Sequence, residues 1–155
     1  MTELRFDDID AINAAADAAD GFSNWSPPME ITQEMINAYA TLTGDHQWIH
    51  VDQERAAAGP FGTTVAHGFL TLSLLPRMVL DQQPITGFRN VVNYGADTLR
   101  FILPVPAESK IHAKSRILNA IRKDTGTLVK TSVAIHVVGE DKPSLLYRML
   151  TLYMG

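Results

Sequence analysis

A carboxylate and an imidazole stand five residues apart in a short polar segment, as Asp45 and His50. Two such groups can hold one water between them, one taking its proton while the other orients it, so they are candidates for acid–base catalysis. Residues on one face of a helix lie three or four positions apart, so a loop would have to bring the two side chains together. A structural interpretation competes with this one: Asp45 would cap a neighbouring backbone group and His50 would pack in the core.

Other polar residues near this pair suggest a metal site. His46 and His50 lie four residues apart with Asp45 and Asp52 nearby, and two histidines with a carboxylate can bind a metal. That arrangement needs a helix or a converging loop, and the preceding helix is predicted to end before His46. We therefore interpret His46 as a solvated loop residue and expect no metal and no other cofactor. His67 could touch a substrate, but a backbone hydrogen bond at a helix N-terminus is the preferred interpretation.

The composition excludes several classes of site. The chain of 155 residues has no cysteine, which rules out disulfides, thiolate nucleophiles and cysteine-bound zinc. Its net charge is −4 and its basic residues are scattered among acids, so binding to nucleic acid is not expected. The longest apolar stretch, near residues 68–75, is too short to span a membrane. The acidic N-terminus lacks the pattern of a secretion signal, so a cytoplasmic location is expected.

Helix signals surround the segment that carries Asp45. Thr32 is a good N-cap, apolar residues follow it at helical spacing, and Gly44 stands where a glycine commonly ends a helix. Residues 45–52 are therefore predicted to form a loop, followed by one more helical turn over residues 54–58. The alanine-rich residues 9–20 predict a short N-terminal helix on the surface.

The rest of the chain predicts one buried helix and a sheet. Residues 67–80 are apolar on nearly all sides, which is typical of a buried helix, and Thr71 and Ser73 would bond back to its preceding turn. Four strand-like runs joined by hairpin turns follow, over residues 91–103, 110–121, 128–138 and 145–154. Strands in sequence with no helices between them predict an antiparallel sheet.

These elements predict an α+β chain with a single domain over residues 1–155. The economical assembly wraps the antiparallel sheet around the one helix that is apolar on all sides, which is the hot-dog fold. A lone sheet of this kind is commonly completed by a second copy beside it, so we expect a homodimer.

Three segments resemble the MaoC-like, (R)-specific enoyl-CoA hydratase family, also called hydratase 2. The family signature runs Gly-Asp-x-Asn-Pro-x-His with an Asp two residues later, and Gly44, Asp45, His50 and Asp52 match it. Residues 60–70, with a His-Gly pair before an apolar residue and leucine, resemble the family's entry into its central helix. Residues 99–105 resemble the family's strand that ends in Pro-Val.

The chain departs from the family pattern at two places. Gln47 and Trp48 replace the family's Asn-Pro, a variant that resembles the nodulation-protein-N-like branch. The acid–base pair is kept, whereas the bulk of Trp48 changes the expected shape of the acyl pocket. Glu108 stands where the family has a glycine after Pro-Val, so the strand connection is expected to turn differently there.

The resemblance implies an (R)-specific hydratase that adds water across the double bond of trans-2-enoyl-CoA. In the family, the Asp and His hold the water that attacks C3, so Asp45 and His50 would do so here. Gly68 would polarise the thioester carbonyl through its N–H at the N-terminus of the buried helix. The acyl carrier could be coenzyme A or acyl carrier protein. Three arginines are candidates for the coenzyme A phosphates: Arg77, Arg89 and Arg100.

Two other functions remain open on the same fold. One is an acyl-CoA thioesterase, but such enzymes usually place a carboxylate on or near the central helix, where this chain has none before Asp81. The other is a non-catalytic acyl-thioester-binding subunit, which would gain nothing from a carboxylate kept beside an imidazole.

Overall fold

The computed structural model describes residues 3–79 and 84–155, which form two sheets and six helices. A two-stranded parallel sheet joins β1 (Leu4–Arg5) to β3 (Ile85–Thr86). The main sheet has the order β2–β5–β6–β7–β4, and all its neighbours are antiparallel. Its strands are β2 (Met29–Ile31), β4 (Asn90–Phe101), β5 (Ser109–Lys123), β6 (Gly126–Val137) and β7 (Leu145–Met154). The predicted antiparallel sheet and its four long strands are confirmed; the three short strands were not predicted.

The helices are α1 (Ile9–Ala18), α2 (Gln33–Thr43), α3 (Trp48–Val51), α4 (Gln53–Ala57), α5 (Gly68–Ser73) and α6 (Leu75–Val79). The predicted ends of α2 are confirmed. The Thr32 hydroxyl accepts a hydrogen bond from the Met35 N–H at 3.2 Å, and Gly44 ends the helix in the left-handed conformation with φ 79°. Residues 45–52, predicted as a loop, contain the extra helical turn α3, so that prediction is wrong for four of its residues.

The predicted long central helix is also wrong, because it is broken at Leu74 into α5 and α6. Pro76 explains the break: in a continuous helix its ring would clash with the Leu72 carbonyl and one hydrogen bond would be lost. In the first turn of a new helix, Pro76 is tolerated. Leu80, the predicted last residue of this helix, lies outside the described residues.

The two hydroxyl residues of α5 behave differently. Ser73 Oγ bonds back to the Phe69 carbonyl at 2.6 Å, as predicted. Thr71 Oγ1 makes no such bond with any described residue, so the same prediction is wrong for Thr71. The reason is its position, since Thr71 lies on the buried side of α5 and lines a cavity.

The main core lies between one face of the large sheet and the helices α2, α5 and α6. Its buried members include Ile36, Leu70, Leu75, Met78 and Val79 from the helices and Ile111, Ala113, Val133, Ile135 and Leu145 from the strands. A second cluster forms where α1 packs Ile12 against Ala120, Val129 and Tyr153. Among the described helices, none is long and apolar enough to cross a membrane.

The two isoleucines of β5 provide a test of this core. Ile111 is 0% exposed and Ile121 is 47% exposed. We expect Ile111→Ala to lower the free energy of unfolding by about 2–5 kcal/mol, because it leaves a cavity in the main core. Ile121→Ala should cost about 1 kcal/mol or less. Urea unfolding of both variants measures this, and equal losses would contradict the assignment of the core.

Candidate active site

The segment between α2 and α4 presents Asp45 to solvent and turns His50 inward. Asp45 follows the left-handed Gly44, and its Oδ1 accepts a hydrogen bond from the Gln47 N–H at 3.3 Å. Asp45 therefore caps a neighbouring backbone group, as the structural interpretation of the sequence predicted. This contact uses Oδ1 only. The Asp45 side chain is 54% exposed, whereas His50, on the single turn of α3, is 7% exposed.

The orientation of His50 is set by the backbone of Val65. His50 Nδ1 lies 2.6 Å from the Val65 carbonyl oxygen. A carbonyl can only accept, so the Nδ1–H donates and the neutral ring keeps a free lone pair on Nε2. Burial lowers the pKa of His50 below its usual 6.5, and the nearby His67 lowers it further. The hydrogen bond to Val65 and the charge of Asp45 act in the opposite direction. His50 is therefore neutral near pH 7 and can act as a base.

His67 joins the pair from the N-terminus of α5. Its ring stacks on that of His50 with 3.8 Å between the centroids. Its Nε2 lies 2.9 Å from the backbone oxygen of Asp45, which confirms the predicted backbone hydrogen bond, and 4.0 Å from Oδ2 of the same residue. The buried Nδ1 of His67 has no partner in the described part of the chain.

Asp45, His50 and His67 together form a three-group cluster. One ligand atom from each lies within 4.8 Å of the others. These donors could ligate a metal ion, but His50 Nδ1 and His67 Nε2 already bond backbone carbonyls, which leaves one nitrogen on each ring. His46, which the metal alternative relied on, is exposed and does not belong to this cluster.

Gln33 ties α2 to the residues around His50. Its side-chain Nε2 donates to the His50 carbonyl at 2.8 Å, and its Oε1 accepts from the Thr64 hydroxyl. Thr64 is 1% exposed and directly precedes Val65, the residue that orients the imidazole. Gln33 therefore holds both sides of the His50–Val65 contact. No signal in the sequence marked this role.

Glu108, which stands where the family has a glycine, takes a backbone conformation that favours glycine. Its φ is 62°, in the left-handed region that costs a non-glycine residue about 1 kcal/mol. The Glu108 carboxylate accepts from the Gln33 N–H at 2.8 Å and so caps the N-terminus of α2. This added hydrogen bond offsets the backbone cost at Glu108. The expectation that the connection turns differently from that of the family stays a prediction.

Gly68 begins α5, as predicted, and lines a cavity beside His50. A Cβ at Gly68 would lie 2.7 Å from the Phe101 ring, so only glycine fits there. No described side chain caps this turn of helix, and the first N–H groups of a helix have no partner within it. The cavity has a volume of about 320 Å³. Its wall is mostly apolar and includes His50, Gly68, Thr71, Phe101, Leu103 and Ser144.

Some predicted residues lie away from this cavity. Trp48 packs against Gly59 and beneath the Arg55 guanidinium, 4.3 Å from its ring centre, so it contributes nothing to the cavity wall described here. Asp52 caps α4 by accepting from the Arg55 N–H at 3.0 Å. The three candidate arginines are exposed, and their contact with coenzyme A stays a prediction: Arg77, Arg89 and Arg100.

A second, larger cavity of about 450 Å³ lies between α5–α6 and the strands β4 and β7. Its wall includes Val79, Phe88, Val91, Tyr147 and Met149. None of the predicted catalytic residues lines it, so the smaller cavity is the candidate active site.

Comparison with known proteins supports the predicted resemblance. The sequence profile of the "MaoC like domain" matches residues 17–138. The 3-hydroxyacyl-thioester dehydratase Z of Mycobacterium tuberculosis is 43% identical over 151 residues, covering 97% of this chain and 98% of that protein. Nodulation protein N of Rhizobium meliloti is 42% identical over 129 residues, covering 81% and 78%.

The fold prediction is confirmed by solved structures. The (R)-hydratase from A. caviae involved in PHA biosynthesis superposes with a TM-score of 0.68 at 21% identity, over 87% of this chain and 98% of that one. At this identity the likeness establishes the hot-dog architecture alone. The broken central helix is therefore a local variation within the predicted fold.

The state of His50 can be tested by NMR titration of its imidazole. We expect a midpoint below 6.5, because burial disfavours the charged ring. Asp45→Asn should lower the midpoint further, since the Asp45 charge favours the protonated form. His50→Gln identifies the signal by its loss. A midpoint above 6.5, or a rise in Asp45→Asn, would contradict the proposed environment.

Proposed function

This chain belongs to the MaoC-like dehydratase family, and from that premise we propose that it interconverts trans-2-enoyl-CoA and (R)-3-hydroxyacyl-CoA. The named relatives include dehydratases, and a structural neighbour is an (R)-hydratase. The chain is therefore an enzyme of this hydro-lyase class. The substrate, the stereochemistry and the residue roles below are the proposal. A cytoplasmic location stays a prediction from the sequence.

The observation that carries the proposal is the spacing of the cluster. Two groups that hydrogen-bond the same water stand up to about 5 Å apart, since each bond is about 2.8 Å long. The donor atoms of Asp45, His50 and His67 lie within 4.8 Å of one another. A water held by the Asp45 carboxylate can therefore reach the ring of His50, and we assign the contact to Nε2 because the Val65 bond leaves that nitrogen free.

The proposed reaction adds this water across the C2=C3 bond. His50 Nε2 accepts a proton from the water while its oxygen forms a bond to C3 and Asp45 holds it in place. The π electrons move onto the thioester, whose oxygen becomes the negative end of an enolate. The proton on His50 then passes to C2, which restores the neutral imidazole and completes the hydration on one face. Dehydration follows the same steps in reverse.

Gly68 supplies the hydrogen bond that the enolate oxygen needs. Its N–H lies at the N-terminus of α5, where unpaired N–H groups favour negative charge. Gly68 and His50 line the same cavity, so a thioester can meet both at once. A preorganised donor of this kind contributes about 10²–10³ in rate in other enzymes.

The thioesterase alternative has weaker support. A carboxylate on the central helix would be needed to activate water at the carbonyl carbon, and neither α5 nor α6 carries one. Asp81, the first acid after them in the sequence, lies outside the described residues. The non-catalytic alternative differs in predicting binding of acyl thioesters without turnover.

We further propose that the enzyme is a homodimer joined along β4. This strand pairs only with β7 within the described chain, and its other edge is unpaired. It is exposed over nearly its whole length and carries exposed apolar side chains at Val91, Val92, Tyr94 and Phe101. Long apolar edges are normally covered, and a second β4 strand would cover this one.

The catalytic proposal predicts the behaviour of two variants. Asp45→Asn and His50→Ala should each lower kcat at least about 100-fold with trans-2-enoyl-CoA, because each removes half of the water site. Turnover is followed by loss of the enoyl-thioester ultraviolet absorbance, and an (R)-specific 3-hydroxyacyl-CoA dehydrogenase tests the product. Wild-type-like rates in Asp45→Asn would refute the role of Asp45.

Asp52→Asn is the matched control, because asparagine caps α4 as well as aspartate does and kcat should stay near that of the wild type. A chelator should leave the rate unchanged, since no step of the proposed mechanism uses a metal. Release of free thiol would favour the thioesterase, and tight binding without turnover would favour the non-catalytic subunit.

The dimer proposal predicts the mass in solution. Native mass spectrometry should give twice the 17.1 kDa of one chain. Val92→Lys should shift the mass toward the monomer, because a charge on the edge of β4 opposes pairing. Val138→Lys is the control, since Val138 is equally exposed, at 46% against 42%, but lies outside β4. An unaltered dimer in Val92→Lys would exclude β4 as the interface.

A further inference from the structure

Two residues that line the candidate active site carry hydroxyls that are buried without a protein partner. Thr71 is 2% exposed and Ser144 is 3% exposed. Neither Oγ atom meets a hydrogen-bond partner anywhere in the described ranges 3–79 and 84–155. Most buried side-chain hydroxyls in proteins are paired, so two in one small cavity call for an explanation.

Thr71 would normally satisfy itself within its own helix. A helical threonine can bond to the carbonyl four residues earlier, which here belongs to His67. The Thr71 backbone N–H bonds that carbonyl at 3.2 Å, yet the hydroxyl does not. Ser73, two residues later on the exposed side of α5, does make the corresponding bond to Phe69 at 2.6 Å.

Ser144 is held in place by its backbone on both sides. Its N–H donates to the Ile135 carbonyl at 2.8 Å, and its carbonyl accepts from the Ile102 N–H at 2.9 Å. Both backbone polar groups of Ser144 are thus paired, and its hydroxyl is the polar group that has no partner among the described residues. The residues around it in the cavity wall are apolar, including Leu103 and Leu145.

The position of the two hydroxyls relates them to the substrate. Thr71 lies one helical turn after Gly68, and both Thr71 and Ser144 line the cavity that His50 and Gly68 also line. A thioester bound to the two catalytic groups places its reacting carbons at this cavity. The chain beyond C3, which is bonded to these carbons, can then reach Thr71 and Ser144 in the same cavity.

We propose that the acyl chain of the substrate carries an oxygen substituent beyond C3, a hydroxyl or keto group, that hydrogen-bonds Thr71 and Ser144. The inference rests on the proposed function, since it names the substrate class of the same site. Threonine and serine hydroxyls both donate and accept, so they fit either substituent. At about 320 Å³ the cavity lies at the lower end of the range for small-molecule sites, which suits a short or medium chain.

Other sources of hydrogen bonds predict different behaviour. The amides of the phosphopantetheine arm are common to every thioester substrate, so their loss would slow all substrates equally. A bound water would pair the hydroxyls whatever the substrate. Only an oxygen on the acyl chain would make the enzyme's preference for oxygenated over plain chains depend on Thr71 and Ser144.

The test compares kcat/KM for a plain trans-2-enoyl-CoA with chains of equal length that carry a hydroxyl or keto group at successive positions from C5. The wild type should prefer one oxygenated chain by about tenfold or more. Thr71→Val and Ser144→Ala should each reduce that preference about threefold to tenfold, as expected for one hydrogen bond. The double variant should prefer the plain chain.

Two controls separate specificity from folding. Ser73→Ala should keep the wild-type preference, because its hydroxyl bonds the helix backbone. The unfolding midpoint of Thr71→Val should stay level or rise, since valine has the same shape and needs no partner.

Three outcomes would overturn the inference while leaving the hydratase proposal intact. These are equal or better turnover of the plain chain by the wild type, a uniform loss on all substrates in Thr71→Val, and no change in either variant. Absence of turnover with every chain would contradict the proposed function and this inference together.

Discussion

The hydrogen bond from His50 Nδ1 to the Val65 carbonyl is the interaction on which the site depends. It selects the neutral tautomer that carries its proton on Nδ1 and leaves Nε2 as the free acceptor. Without it, the buried ring could present either nitrogen, and half of its orientations would offer an N–H where a base is needed. Burial lowers the pKa of His50 and so favours the uncharged ring, but it does not decide which ring nitrogen carries the lone pair. One backbone carbonyl therefore fixes which nitrogen of the proposed base is free to accept a proton.

The position of Val65 is itself set by two partners. Its N–H bonds the Ile49 carbonyl at 3.0 Å, next to the histidine that it orients. The residues on either side of Val65 pair with the segment after β4, through Ala66 to Val105 at 2.8 Å and Ala107 to Thr64 at 2.9 Å. The same strip of backbone continues directly into α5. The proposed base and the proposed oxyanion donor are consequently positioned by one short segment, which is braced against the end of the sheet.

Local signals in the sequence predicted much of this frame. Thr32 and Gly44 marked the ends of α2 because capping and left-handed backbone depend on neighbours in the chain. The β-branched runs likewise predicted the four long strands. The break in the central helix was missed although Pro76 signalled it, because the count of apolar residues outweighed one backbone constraint.

Contacts between distant residues could not be predicted in this way. Gln33 and Glu108 are 75 residues apart, and their hydrogen bond exists only because β2 and β5 pair beside α2. The same holds for His67. It formed part of the His-Gly pair that carried the family resemblance, but its contact with Asp45 exists only in the folded loop. The residue types of the candidate site were thus readable from the sequence, whereas the groups that orient them were not.

The polar groups of the site divide into two kinds with different consequences. Those bonded to the backbone, such as His50 Nδ1 and His67 Nε2, are fixed before a substrate arrives and need no reorganisation during the reaction. Those that lack a partner among the described residues, His67 Nδ1, Thr71 Oγ1 and Ser144 Oγ, gain one only from a bound molecule. Because such groups weaken the fold, the presence of two of them on residues that line one small cavity, Thr71 and Ser144, is explained better by binding than by stability. The backbone hydrogen bonds of the site therefore fix one set of polar groups in place. The polar groups without such bonds are the ones left to recognise a substrate.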